Sequence, residues 1–341
     1  MYWLGIETSC DESAVALVEV RERQLRIAAS VVGSQIAQHR PYGGVVPEVA
    51  VREHLRNLPQ LTPRALEEAG VSLEAIQGVA VTQGPGLATS LLIGYAYARG
   101  LGLMLRKPVR GINHLEGHLL SPFFADGTEV SFPLLGLIVS GGHTLLVEAR
   151  GWNHYRKIGS TVDDAAGEVF DKVARMLGLG YPGGPEIEKA AREGNPTAYD
   201  FPQSFPDRDD FRFSFSGLKT SVRYFLEKHP GEIENRAFVS DVAASFQRAV
   251  VEVLVRKTIR AARKYRLQRI TVAGGVACNG ALRGALERAA ASAGLILALA
   301  PSSLCTDNAA MIAGVAALKE AAGVHDPESN DIDPNLPLIS E

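Results

Sequence analysis

The sequence predicts an α/β protein built from two duplicated domains, and three observations predict it. The chain opens with three short apolar strands joined by small polar turns, after which helices and strands alternate to about residue 120. The same succession restarts near residue 136, where Gly136-Leu137-Ile138-Val139-Ser140, a turn and a strand carrying Val147-Glu148 repeat the spacing of Gly5-Ile6-Glu7-Thr8-Ser9 and Val18-Glu19. Later, a strand running into a glycine turn and a helix, Arg269 to Ala293, matches the strand, Gly84-Pro85-Gly86 turn and helix of the first half.

Each element has a local reason. Tyr2 to Thr8 and Ser13 to Val20 form a hairpin around the polar tip Ser9-Cys10-Asp11-Glu12, and Leu25 to Val32 is the third strand. After the Gly/Pro-rich segment 41–47, a helix runs to about Ala69. Gly78 to Thr82 reads as a buried strand, and the small-residue run Leu87 to Leu105 as a helix packed closely on a sheet. Residues 108–112 form a short strand, and Asn113 is a suitable N-cap for a helix starting at His114. In the second half, strands are expected at 136–140, 143–148 and near 155–160, followed by a helix from Asp163 to Leu177. A Gly-, Pro- and Asp-rich insertion lies at about 180–230, and a long helix follows over about 236–266. Strand 269–273, helix 279–293, strand 295–300 and a helix from Thr306 to about Ala322 close the fold. The domains expected are 1–130, 131–322 and a surface tail, 323–341.

With 341 residues, 46% of them hydrophobic, the chain can bury a core in each domain. A net charge of −3 leaves any nucleic-acid contact to a local basic patch. The run Arg256, Lys257, Arg260, Arg263, Lys264, Arg266 and Arg269 holds no acid and reads as a solvated helix face or a phosphate-contact surface. No apolar run reaches bilayer length and residues 1–7 lack signal-peptide character, so no membrane contact is expected and the cytoplasm is the assigned location. Three scattered cysteines, Cys10, Cys278 and Cys305, make no disulfide framework or CxxC zinc site.

The strongest chemical signal is His114-Leu115-Glu116-Gly117-His118. Two imidazoles four residues apart on a helix point the same way and can share one ion, while Glu116, rotated by roughly 200° at about 100° per residue, faces away as no zinc-protease base would. Alone, the pair reads equally as surface or capping residues, and a third ligand decides between the readings. Asp307 in Cys305-Thr306-Asp307-Asn308 can supply it, although it also stands where a carboxylate could cap a helix; Cys305 is a competing ligand.

Duplicated domains of this topology resemble the actin, chaperone-ATPase and sugar-kinase superfamily, with ribonuclease H-like domains facing a nucleotide cleft. There, glycine turns from both domains cradle phosphates through their backbone amides. Ser140-Gly141-Gly142-His143-Thr144 is such a turn, or simply a hairpin. Its counterpart Ser9 to Glu12 carries two acids, which hints at chemistry other than phosphoryl transfer to a simple acceptor.

A closer resemblance rests on seven motifs in order: Gly5 to Glu12, Tyr42 to Glu48, Gly84 to Leu87, Asn113 to His118, Val139 to Thr144, Phe215 to Thr220 and Cys305 to Asn308. Together they resemble the bacterial TsaD family of tRNA threonylcarbamoyl transferases, once labelled glycoproteases. The resemblance implies a metal, Fe(2+) or zinc, on His114, His118 and Asp307. It further implies a site for threonylcarbamoyl-AMP or ATP/ADP lined by Ser9, Ile138, Val139, Ser140, Gly141, Gly142, Asp171, Gly184, Glu188 and Asn279. Glu188 stands where relatives often carry an Asp, and Asn113 where many bacterial members carry a His.

The implied reaction moves the threonylcarbamoyl group onto the exocyclic amine of the adenosine 3′ to the anticodon in tRNAs reading codons that begin with A, with AMP leaving. Asp11 and Glu12 are the candidates for proton removal or acceptor positioning. The implied partners are tRNA, a TsaB-like paralogue, a TsaE-like P-loop ATPase and a separate threonylcarbamoyl-AMP synthase. An ATP-dependent chaperone-like or regulatory module would need no histidine pair, and a metallopeptidase would need a base where Glu116 is not.

Overall fold

The computed structural model describes residues 1–22, 24–125, 128–205, 209–324 and 331–338. In chain order, β1 (Tyr2–Glu7), β2 (Glu12–Arg21) and β3 (Gln24–Ser34) are followed by α1 (Ile36–His39), α2 (Pro47–Ala69), β4 (Ile76–Gly84), α3 (Ala88–Leu105), β5 (Val109–Asn113) and α4 (His114–Leu120). Then come β6 (Leu134–Val139), β7 (Thr144–Gly151), β8 (His154–Ser160), α5 (Ala166–Met176), α6 (Gly183–Ala191), α7 (Ser216–Glu227), α8 (Arg236–Lys264), β9 (Arg269–Ala273), α9 (Gly280–Ala293), β10 (Ile296–Leu299), α10 (Ser302–Cys305) and α11 (Ala309–Ala321).

The chain forms two compact units, one of Met1–Ser131, Gly151–Tyr155 and Ser303–Glu341, the other of Phe132–Arg150 and Arg156–Ser302. The first holds a five-stranded sheet in the order β3-β2-β1-β4-β5, the second one in the order β10-β9-β6-β7-β8. Read from their far ends the two orders are the same, and in each the first strand lies antiparallel to its hairpin partner and parallel to the strand that follows the helical segment.

In the first unit, Leu4, Ile6, Val15, Leu17, Val79 and Val81 bury one sheet face with Leu58 of α2 and Ala98 of α3. The residue between, Gly5, faces the other way, and any Cβ there would clash with the Ala309 carbonyl and the Ala313 side chain. Helix α11 therefore lies directly on β1. That close approach is why residues 303–322, expected with the second half, belong to the first unit.

Element types match the expectations closely, with one informative shift. The helix expected from Asp163 starts at Ala166, because Asp163 and Asp164 are used elsewhere. The Asp163 carboxylate accepts the Phe215 and Ser216 amides at 2.8 and 3.3 Å, and Asp164 pairs with Lys172 and Lys219. Within the expected tail, residues 325–330 and 339–341 lie outside the described residues. Residues 331–338 lie against the ends of β4 and β5, where Gln83 donates to the Asp331 carbonyl and the Asp333 amide donates back to Gln83.

The basic run on α8 is only partly a solvated face. Lys257 is fully buried and donates to the Phe205 and Asp210 carbonyls, Arg256 donates to Gln203, and Lys264 pairs with Asp209. These contacts fasten Gln203, Phe205, Asp209 and Asp210 onto the helix. Burial lowers the Lys257 ammonium to about 8.

Candidate functional site

In the first unit, Asn113 sets the start of the helix that carries the histidine pair. Its Oδ1 accepts the Leu115 and Glu116 amides at 2.9 and 3.4 Å, so α4 begins at His114 and the two histidines fall on one side of its first turns. Their rings meet edge to face, 4.7 Å apart. Asp307 reaches them from the segment before α11. Its Oδ1 lies 3.2 Å from His118 Nε2 and 3.5 Å from His114 Nε2. Capping of α11 falls to Asn308, which accepts the Met311 amide at 2.9 Å, so the Asp307 carboxylate is not consumed as a cap.

His114, His118 and Asp307 offer ligand atoms within 4.8 Å of one another, the grouping of this kind among the described residues; Cys305 is outside it. Behind His114 stands Glu7, fully buried at the end of β1. Its Oε2 accepts from His114 Nδ1 at 3.1 Å and from the Thr82 hydroxyl at 2.5 Å, while its Oε1 accepts the Ser9 amide at 2.5 Å. A carboxylate on Nδ1 leaves Nε2 for an ion, the usual support of a metal-bound imidazole. Two imidazoles, one carboxylate and this buried backing fit a divalent metal with open positions. His118 Nδ1 is buried without a hydrogen-bond partner, so its ring is fixed through Nε2 alone.

The electrostatics follow from the geometry. Burial disfavours an imidazolium at His114, but Asp307 and Glu7 outweigh it and raise the ring to about 9. Burial dominates at His118 and lowers it. Glu12 is pushed well above the carboxylate range by burial, then by Asp307 and Asp11, and its carboxyl is hydrogen-bonded to Asp11. The Ser9–Glu12 turn thus lies in the field of Asp307, with Ser9 Oγ 3.3 Å from His114 Nδ1.

Glu116 points away from the pair, into the interior rather than to water. It pairs with Lys319 of α11 at 2.8 Å and accepts from the Tyr155 hydroxyl at 2.5 Å.

In the second unit the other expected residues lie on β6 and the turn after it, on α5, on α6 and at the start of α9. Ile138 and Val139 are buried in β6, with Ile138 opposite Ala273. The turn after them closes by Ser140 N to His143 O at 2.8 Å and His143 N to Ser140 Oγ at 3.1 Å, leaving the exposed Gly141 and Gly142 outside those bonds. A Cβ at Gly141, Gly142, Gly184 or Gly275 would meet open space. Asp171 accepts the Gly183 amide at 2.7 Å and so fixes the start of α6; Glu188 accepts the Gly280 amide at 3.3 Å. Asn279 caps α9 through the Leu282 amide at 3.0 Å and donates to Gln247 at 2.7 Å. Asp171, Glu188 and Asn279 thus each make a structural hydrogen bond.

Sequence reasoning missed Glu7, Thr82 and Lys319. For Glu7 and Lys319 the available signal was a charge inside an otherwise apolar strand or helix, which burial permits only with a partner; the neutral Thr82 gave none.

The sequence profile of the family described as TsaD, tRNA N6-adenosine threonylcarbamoyltransferase, matches residues 26–314. A tRNA N6-adenosine threonylcarbamoyltransferase of Kosmotoga olearia is 48% identical over 99% of this chain and 99% of its own, and one of Geobacter metallireducens is 49% identical over 99% and 97%. Among solved structures, HypF of T. kodakarensis superposes on 95% of this chain with a TM-score of 0.62 at 12% identity, a likeness of fold. The chain spans about half the length of that structure, 48%.

Proposed function

The chain belongs to the TsaD family of tRNA N6-adenosine threonylcarbamoyltransferases, and from that premise we propose that it transfers the threonylcarbamoyl group of threonylcarbamoyl-AMP to tRNA. The acceptor is the exocyclic amine of the adenosine 3′ to the anticodon in tRNAs reading codons that begin with A, and AMP is released. The observation that carries this reading on the chain itself is the convergence of His114, His118 and Asp307 before the buried Glu7.

An aryl amine is a poor nucleophile, so assistance goes to the electrophile and the leaving group. A divalent ion on His114, His118 and Asp307, Fe(2+) first and zinc second by donor type, supplies Lewis-acid polarisation of the carbamoyl or phosphate oxygens. Glu7 holds the Nδ1 proton of His114 and orients its ring. The open amides of Gly141 and Gly142 receive the phosphate of the departing AMP, and a preorganised donor of this kind is worth about 10²–10³ in rate. Asp171, Gly184, Glu188 and Asn279 bound the nucleoside. Asp11 and Glu12 position the acceptor amine, and removal of its proton falls to Asp11, because burial opposes ionisation of Glu12.

The partners proposed are tRNA, a TsaB-like paralogue, a TsaE-like P-loop ATPase and the synthase that supplies the adenylate, all in the cytoplasm. None of the described helices is long and apolar enough to cross a membrane. Nucleoside mass analysis tests the reading. Unmodified tRNA incubated with this protein, its partners, the synthase, threonine, bicarbonate and ATP gains a threonylcarbamoyl mass on adenosine. That gain disappears when this protein alone is omitted. No gain with every other component active rejects the function.

A further inference from the structure

A second buried polar cluster touches the Ser9–Glu12 turn at the Cys10 carbonyl, and the mechanism above does not use it. His54 of α2 is fully buried, as are His39, Gln35 and Ser13. His54 Nε2 lies 3.0 Å from the Cys10 carbonyl, and its Nδ1 lies 2.8 Å from Ser13 Oγ and 3.3 Å from Gln35 Nε2. Gln35 Oε1 lies 3.2 Å from His39 Nε2, and His39 Nδ1 lies 3.2 Å from the Val46 amide.

The two ends of this chain fix every proton in it. A backbone amide can only donate, so Val46 N–H gives its hydrogen to His39 Nδ1 and leaves the His39 proton on Nε2. That proton goes to Gln35 Oε1, which turns the Gln35 amide nitrogen toward Ser13 Oγ and His54 Nδ1. At the other end a carbonyl can only accept, so His54 Nε2 carries the hydrogen bonded to Cys10. His54 Nδ1 is then an acceptor on both counts. The ring is neutral, and its burial favours that form.

We propose that His54 is a positioning residue for the Ser9–Glu12 turn, held in its Nε2–H tautomer by the relay Val46–His39–Gln35–His54. The inference rests on the reading of this turn as part of the transferase site. Cys10 sits between Ser9, whose hydroxyl faces His114, and the Asp11–Glu12 pair. The turn is held at Ser9 by the Leu87 amide, which donates to the Ser9 carbonyl at 2.8 Å, and at Cys10 by His54. Without the second bond, the Cys10 peptide can rotate and take the two carboxyls with it. The relay begins at Val46, the residue before α2, just after a loop whose Tyr42 is exposed, so the order of that loop is felt at the acids.

Three variants in the complete transferase assay, with tRNA, partners and adenylate supply, test this. His54→Leu removes the donor to Cys10 and lowers kcat by about 10², the scale of a misplacement near 1 Å, with the KM for tRNA and the bound metal per chain unchanged. His54→Gln, whose side-chain amide can donate to the same carbonyl, keeps kcat close to wild type. Wild-type kcat in His54→Leu, equal losses in both variants, or a loss carried by KM overturns the proposal. Should His54→Leu fail to fold, Gln35→Leu cuts the relay one step earlier. A lowered kcat at constant KM then supports the relay, and an unchanged kcat overturns it.

Two-bond proton–nitrogen correlation spectra read the tautomer without turnover. Nε2–H at His54 at neutral pH supports the relay, and Nδ1–H or imidazolium overturns it. An inactive wild-type protein in the complete assay would reject the transferase reading instead, and the spectra would still decide the relay.

Discussion

The Glu7 carboxylate, buried at the end of β1, lies 3.1 Å from His114 Nδ1 although 107 residues separate them in the chain. This contact sets which nitrogen of His114 faces the Asp307 side. Glu7→Gln keeps the shape and loses the anion, and its amide can present a donor where the ring also donates. Metal affinity should fall by about 10–10²-fold, the usual cost of a lost supporting partner. Titration of the metal-free protein with Co(2+) or Zn(2+) measures this, and an unaltered affinity would mean that Glu7 does not hold the ligand.

The same contacts make the metal-free protein sensitive to alkali. Its His114 has a folded value of about 9 against an ordinary 6.5, so the stabilisation is fully present below about pH 6.5 and is lost as pH rises through 9. Glu12, pushed upward by burial, Asp307 and Asp11, acts in the same direction, because its deprotonation is opposed in the fold. The contribution of His114 is on the order of 3 kcal/mol. Denaturant unfolding of metal-free wild type and His114→Gln from pH 6 to 9.5 should show the two curves converging. Parallel curves would contradict the carboxylate pairing.

The described part of the C-terminal segment braces this site from outside. Asn113 caps α4 through Oδ1 and donates through Nδ2 to the Leu336 and Pro337 carbonyls at 3.3 and 3.1 Å, while Pro334 accepts the Gly86 amide at 3.1 Å. The approach is close enough that a Cβ at Gly84 would overlap the Asp333 carbonyl. Gly84→Ala should therefore displace the segment, costing about 1–3 kcal/mol and opening it to limited proteolysis. Protease resistance equal to wild type would show that the segment accommodates the methyl group.

How much of this was legible in the sequence depended on distance along the chain. Strand β9 and its glycine turn were readable because a period of two followed by glycines is a local pattern, and the histidine pair because its spacing and its Asn113 cap are local too. Asp307 could be named as a ligand only beside an equally good reading as a cap, and Asn308 resolves that choice by taking the cap. Glu7 was quoted within a motif but given no role, since its value lies in a contact made only when β1 and α4 meet. Lys257 sat in a run of like charges that suggested solvent or phosphate; its ammonium is taken instead by the Phe205 and Asp210 carbonyls, and no periodicity announces such partners.

The segments that carry His114 and Asp307 are also joined in the interior. Glu116 follows His114 by two residues on α4, and Lys319 lies on α11, whose start follows Asp307, so their 2.8 Å ion pair ties the two ligand-bearing segments together in the interior. Only 3% of the Glu116 side chain and 4% of Lys319 is exposed, so neither charge can turn to water if its partner goes. Lys319→Met should cost about 3–5 kcal/mol by leaving a buried carboxylate without its counter-ion, while the Tyr155 hydroxyl still donates to it. Removing both charges, in Glu116→Gln with Lys319→Met, should recover much of that loss, because an uncharged interior carries no unpaired ion. Unfolding free energies of the two single variants and the double variant close the cycle. Additive losses would show that the charges act separately and that the pair does not register α4 on α11.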